Sequence, residues 1–350
     1  MYESGEGIAR DYYTAIYWQE RLCELCYEVA NGNPNVDNCF RHLQELWHTA
    51  EKLKLVHDFQ KSEDYYKKLV EYSTRYSTLF PYYPNIDRLV QIGEQGIGDI
   101  LSALGRWDKA EPHFHNALEN MEKHANYYNT PIVWHDLGLI LHRLGWSRLN
   151  AGDLNEAEKY FKRENDLYKE IVKSYDMISI RRDYAISFRN LGKACFEKND
   201  YVQAKEYYSR AVEALEQIAK ETNTEEKSSI LAETYRMLGD VYRGEYQLDK
   251  AKKLYQKSYE ITQSLVLETN MYYALRNHSV SCIKCGDVCF AHDEVAAAQS
   301  YFEEAKAILE RFQNHSKSAR TVLVSGRKNA RFIRVFEALK ISKIGQWPPK

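Results

Sequence analysis

LGKACFEKNDYVQAKEYYSRA (residues 191–211) is answered 47 residues later by LGDVYRGEYQLDKAKKLYQKS (238–258). Each line opens on Leu-Gly, turns at a short polar dipeptide, and sets a small residue and a ring at fixed offsets. These are Gly192, Ala204 and Tyr208 in the first line, and Gly239, Ala251 and Tyr255 in the second. Outward from this pair the pattern recurs. Gly98, Gly145, Gly192, Gly239 and Gly286 follow one another at steps of 47, as do Ala110, Ala157, Ala204, Ala251 and Ala298. Four residues after each alanine stands a ring: Phe114, Phe161, Tyr208, Tyr255 and Phe302. A fixed period of a few tens of residues marks a repeat architecture, in which each unit leans on its neighbours and the array offers an extended binding surface.

Between glycine and alanine lie polar turns such as Asn199-Asp200, Gly244-Glu245 and His292-Asp293. On either side run stretches of about 20 residues with helical periodicity and hardly any proline. Each unit is therefore a helix, a tight turn and a second helix, with loops marked by 31–38, 81–87, 126–131 and 220–228. Two antiparallel helices need small residues where their axes come closest, which explains the glycine and the alanine. The ring one turn later is expected to fill the wedge against the next unit.

Leu191-Gly192, Ala204, Tyr208 and Ala211, with Leu238-Gly239, Tyr242, Ala251 and Tyr255, resemble the tetratricopeptide repeat. That family's period is about 34; the longer beat here implies longer helices. HEAT repeats approach 47 in period but lack this spacing of small and aromatic residues. The resemblance implies an all-α fold, a right-handed α-α superhelical solenoid of antiparallel helix hairpins, whose first helices line a concave face. Ala50, Leu53, Ser62 and Tyr66 form a degenerate earlier unit. The string Tyr2, Gly5, Gly7, Ile8, Asp11, Tyr12, Ala15 and Trp18 resembles the Sel1-like relative of the repeat. The expected organisation is a Sel1-like half repeat over 1–30, six hairpins over 31–316, and a basic closing helix and tail over 317–350. A first residue inside a repeat leads us to expect a longer protein, with further Sel1-like repeats or an effector domain upstream.

Composition restrains function. Lys and Arg number 48 against 50 Asp and Glu, a formal charge of −2, so no global field recommends nucleic acid or membrane. No run of about 18 apolar residues exists to span a bilayer. Seven cysteines, without secretory context, read as reduced thiols in a cytosol.

Five metal-capable side chains, His278, Cys282, Cys285, Cys289 and His292, fall on one stripe of a single helix. At about 1.5 Å rise per residue, Cys282 and Cys289 are about 10 Å apart, too far for one tetrahedral centre with bonds near 2.3 Å. Buried thiols acting as small hydrophobes fit better, as they do for Cys23 and Cys26. Gly93, Gly96 and Gly98 match neither a P-loop nor a dinucleotide fingerprint, and no strand precedes them. No catalytic constellation, metal or cofactor is expected.

Charge suggests binding instead. Carried over from the resemblance, the inward residues include Arg189, Asn190, Lys193, Glu233, Arg236, Asp240, Arg243 and Asp287, then Arg327 and Arg334 on the closing helix. Guanidinium groups grip carboxylates through paired hydrogen bonds, so an acidic peptide is the expected guest. The alternative is a solvated ladder in which the acids simply pair with those arginines. From 317 to 350 nine basic residues face one acid, Glu337, either for solubility or as a docking strip. The expected function is a non-enzymatic, cytoplasmic scaffold that binds a protein or peptide. Its rivals are a ligand-sensing module below an upstream effector, of a bacterial-type signalling or defence protein, and a metal-dependent activity at the Cys282–His292 stripe.

Overall fold

The structure is a computed structural model that describes residues 12–315, apart from 128–129, 225–227 and 270–271. These residues form thirteen α-helices and, among them, no strand. In chain order they are α1 (Tyr12–Gly32), α2 (Val36–Leu55), α3 (Phe59–Leu79), α4 (Pro84–Ala103), α5 (Trp107–Tyr127), α6 (Pro131–Ala151) and α7 (Leu154–Ser174). There follow α8 (Ile178–Glu197), α9 (Tyr201–Thr222), α10 (Ser229–Gly244), α11 (Leu248–Thr269), α12 (Tyr272–Ala291) and α13 (Val295–His315). Most of the Sel1-like string and all of the 317–350 tail, with Arg327 and Arg334, lie outside the described residues.

Two compact units divide the chain, Met1–Tyr160 and Phe161–Lys350. In the first, α1 to α6 pack each on the next. In the second, α8 to α13 do the same. The even-numbered helices, which from α4 onward carry the glycines, also touch the next even helix directly: α2 with α4, α4 with α6, α8 with α10, and α10 with α12. First helices thus lie side by side within each unit.

Turn chemistry explains the beat between helices. Six residues with left-handed backbone close the hairpins: His57, Gly105, Gly152, Asn199, Tyr246 and Asp293. After each, the next amide reaches back to the end of the preceding helix, as in Asp58 to Leu53, Arg106 to Leu101 and Asp200 to Cys195. This is the Schellman closure, which satisfies carbonyls the helix leaves open. The second helix is then capped by an acid in several units: Asp58, Asp153 and Asp200 accept from the amides of Lys61, Glu156 and Gln203. Between units the connections are shorter than the marked loops, because Pro84 and Pro131 start helices rather than end them.

The core is a ring laid on a glycine. A β-carbon at Gly98 would stand 2.5 Å from Phe114, at Gly192 2.7 Å from Tyr208, at Gly239 2.6 Å from Tyr255 and at Gly286 2.5 Å from Phe302. The wedge expected for these rings is therefore only half of their place. Each lies on the glycine of its own hairpin, while Tyr255 also joins Cys285 and Val288 of the next unit in one buried cluster. The degenerate first hairpin shows the rule by exception. Ala50 stands where the others have glycine, and the Tyr66 ring lies instead against Gly96 of the following unit, 2.3 Å from where a β-carbon would be. Ser62 replaces the small alanine and donates to the Ala50 carbonyl at 2.7 Å, which keeps α2 and α3 close.

His42 of α2 sits in a box of Tyr27, Tyr72 and Tyr76, with Nδ1 3.1 Å from the Tyr76 hydroxyl. Burial, helped by the charge of Lys68, lowers its pKa to about 4. The unfolded chain takes up this proton near pH 6.5 and the folded chain does not until near pH 4, so stability falls as pH drops through that window. Urea titrations from pH 7 to pH 4 should show a loss on the order of 3 kcal/mol from this group, a loss that His42→Gln removes.

Gly239→Ala is expected to cost about 1–3 kcal/mol in urea unfolding, the range for overpacking a dense core. Adding Tyr255→Leu should recover part of that cost, since the two changes share one contact. Gly32→Ala, with nothing within 4 Å of the new methyl, should be neutral or stabilising.

Candidate functional site

Side-by-side first helices present two polar and aromatic surfaces, one in each unit. In the first unit a cavity of about 390 Å³ opens over α4, α5 and α6. Trp107, Trp146, Phe114 and Leu139 supply its apolar wall, and Asp99, Ser102, His142, Arg143 and Ser147 its polar side. Phe114 is the fully buried ring on Gly98, so this wall belongs to the hairpin core. Arg143 grips Asp99 with Nε at 2.8 Å and a second nitrogen at 3.2 Å, the two-pronged geometry of a guanidinium on a carboxylate. Arg88 reaches Asp136 at 2.7 Å across the same pair of helices. Although burial opposes the charge of Asp136, hydrogen bonds from His135 and Arg88 hold its carboxyl below the usual range.

In the second unit the corresponding rungs join α8, α10 and α12. Asp240 and Lys284 occupy the same two register positions as Asp99 and Arg143, one after the glycine and two before the next. Lys284 donates to Asp240, and the Tyr255 hydroxyl donates to the same carboxylate oxygen at 2.7 Å. Burial lowers the pKa of Lys284, against the pull of Asp240, and raises that of Tyr255. Arg189 reaches Glu233 at 3.0 Å.

The inward residues read from the sequence thus have different fates. Arg189 is largely covered and pairs with Glu233, and Lys193 pairs with Glu197 on its own helix. Asp240 is consumed by Lys284 and Tyr255. Arg236 is not presented to a guest: it is buried, with one guanidinium nitrogen 3.2 Å from the Ser281 hydroxyl and 3.5 Å from the Asn277 carbonyl. Burial lowers its pKa, while Glu233 and Asp240 oppose that effect. Asn190 is likewise buried and donates to both oxygens of Glu164, at 3.1 and 3.2 Å. Both belong to the packing between helices, because their faces turn towards a neighbouring helix. Arg243 is half-buried at the end of α10. Ladder pairing therefore accounts for Arg189, Glu233 and Asp240.

The cavity of the first unit has little signature in the sequence. Trp107 and Trp146 stand where other units carry different residues, and only the rung homology of Asp99 and Arg143 to Asp240 and Lys284 signals it.

The same repeat is recognisable in known proteins. A family model for the tetratricopeptide repeat matches residues 189–214, the stretch containing Gly192, Ala204 and Tyr208. The fold is tetratricopeptide-like. BtubC (BKLC) from P. vanneervenii superposes with a TM-score of 0.59 at 19% identity, over 73% of this chain and 92% of that one. A signal transduction ATPase with numerous domains and a tetratricopeptide repeat sensor, from Pyrococcus horikoshii, gives 0.57 at 16% identity, over 85% of this chain and 41% of that one. Aspartyl phosphate phosphatase F from Bacillus subtilis gives 0.51 at 13% identity, over 77% and 60%. No curated protein matches the sequence. At these identities the tetratricopeptide-like architecture is what is shared. No helix among the described residues is long and apolar enough to cross a membrane.

Removing one partner of the Asp240–Lys284 rung leaves a largely covered charge without its ion pair. Asp240→Ala should therefore cost roughly 3 kcal/mol in chemical unfolding. The double change Asp240→Ala with Lys284→Met should recover the share owed to the stranded ammonium but not that of the Tyr255 hydroxyl, which still lacks its acceptor.

Proposed function

We propose that the chain is a non-enzymatic interaction module that seats a peptide or partner helix on the face made by its first helices. The cavity over α4, α5 and α6 carries this reading. Its volume of about 390 Å³ suits one or two side chains, and it pairs indole walls with a guanidinium on its polar side. An apolar anchor of the guest enters between Trp107 and Trp146. An acidic neighbour in the guest competes with Asp99 for Arg143, because two carboxylates cannot both take the same prongs. In the second unit, taken by itself, Arg189, Lys193 and Arg243 are the polar contacts of a guest bound there, with Glu233 and Glu197 giving way to the guest's acids. Affinity comes from the buried anchor, selectivity from the spacing of cations along pre-formed helices.

A second reading, a sensor within a larger signalling protein, is favoured by one likeness. The Pyrococcus horikoshii protein, described as carrying a tetratricopeptide repeat sensor, matches 85% of this chain with only 41% of its own length. Binding at the same face serves both readings; they differ in the consequence of binding, tethering in the one and a signal passed to an effector in the other.

Peptide display on the purified chain tests the proposal. Selected peptides should carry an aromatic or aliphatic residue beside Asp or Glu. Trp146→Ala should weaken them at least tenfold, a central aromatic anchor being a typical hot spot. Peptides that bind equally well to Trp146→Ala and to an Arg189→Glu, Lys193→Glu, Arg243→Glu variant would place recognition elsewhere on the surface.

A further inference from the structure

His278 and Cys282 lie one turn apart on α12, and Glu304 approaches them from α13. Among the described residues these three side chains bring a nitrogen, a sulfur and an oxygen within 4.8 Å of one another. Nε2 of His278 is 3.0 Å from Oε1 of Glu304, and the Cys282 sulfur is 3.8 Å from the same nitrogen. Four ligands at 2.0–2.3 Å around a tetrahedral zinc ion stand roughly 3.3–3.7 Å from one another, so a modest closure of the sulfur and opening of the carboxylate fits the ion.

Two outer contacts from α11 aim the ligands. The Thr262 hydroxyl is 3.0 Å from Nδ1 of His278, and its own hydrogen reaches the Ser258 carbonyl at 2.9 Å. A hydroxyl has one hydrogen, so with it on the Ser258 carbonyl Thr262 accepts from Nδ1–H, and the neutral imidazole then keeps its lone pair on Nε2. The Tyr259 hydroxyl donates to Oε2 of Glu304 at 2.9 Å and is itself met by Gln263 at 3.0 Å. In that tautomer Oε1 of Glu304 faces the lone pair of Nε2, a place that a proton or a metal ion fills. A proton satisfies the nitrogen and the oxygen. A thiol turned on the same point suits a borderline-soft metal ion. His278 and Cys282 are buried, whereas the Glu304 side chain is about one-third exposed, which gives the ion a way in and a fourth position for water.

We propose that His278, Cys282 and Glu304 form a zinc-binding site that joins α12 to α13, with Thr262 and Tyr259 as its outer supports. It differs from the five-residue stripe of the sequence, since Cys285, Cys289 and His292 take no part and Glu304 comes from the neighbouring helix. Binding exchanges the Cys282 thiol proton for the metal and releases that proton to solvent, so affinity rises with pH. Because only the folded chain assembles the three ligands, zinc also raises the melting temperature.

The test uses the full chain stripped by chelator, with zinc in calorimetry and cobalt as a coloured substitute. One equivalent of zinc should bind, and cobalt should give tetrahedral visible bands with a thiolate charge-transfer band. Cys282→Ser should lose the charge-transfer band, Cys285→Ser should keep it, and Thr262→Val should weaken zinc roughly 10- to 100-fold. Helical circular dichroism checks each variant's fold, and Glu304→Gln, altering a side chain about one-third exposed, stands in if Cys282→Ser does not fold. Substoichiometric uptake by the wild type would overturn the proposal. So would uptake unchanged in both Cys282→Ser and Glu304→Gln; a proton would then occupy the gap.

Discussion

The contact on which the structure depends is an aromatic ring resting on a bare α-carbon. Four hairpins among the described residues repeat it, with Phe114, Tyr208, Tyr255 and Phe302 on Gly98, Gly192, Gly239 and Gly286. A β-carbon there would have to share space with the ring, so the glycine sets how closely the two helices approach. The interhelical distance then sets where the next unit can sit. The rungs between first helices are a consequence: Asp99 meets Arg143, and Asp240 meets Lys284, only because consecutive first helices are held side by side at constant stride.

Much of this was legible in the sequence because it is written in small residues. Gly239, Ala251 and Tyr255 are informative letters, since few physical roles demand a missing side chain and a ring at fixed offsets. The first hairpin was harder. With Ala50 and Ser62 in place of glycine and alanine, nothing in the spacing said that Tyr66 would reach across to Gly96. The candidate site was legible only in part. A charged residue on a first helix can turn to the open face or to its neighbour, and a difference of one position decides which. Arg236 and Asn190 turned inward, where Ser281 and Asn277 meet one guanidinium nitrogen and Glu164 accepts from the Asn190 amide. Glu304 could not be connected to His278 from spacing alone, because the link crosses between two helices and depends on their rotation.

Charge is spent within both units, on Asp99 and Asp136 in the first and on Glu233, Glu197 and Asp240 in the second. The first keeps an indented surface beside its Asp99–Arg143 rung. A guest that prizes open a rung must replace its hydrogen bonds, which penalises weakly charged visitors more than a wholly apolar cleft would.

Glycine and ring within a hairpin are only 16 residues apart in sequence, as Gly239 and Tyr255 are. Closing such a short span costs little chain entropy, and among the described residues no strand must wait for a distant partner. During synthesis each hairpin can therefore shut as soon as its second helix clears the ribosome, and dock on a predecessor already in place. The order of manufacture and the order of assembly coincide, so an emerging chain exposes about one unit's worth of uncovered apolar surface at a time.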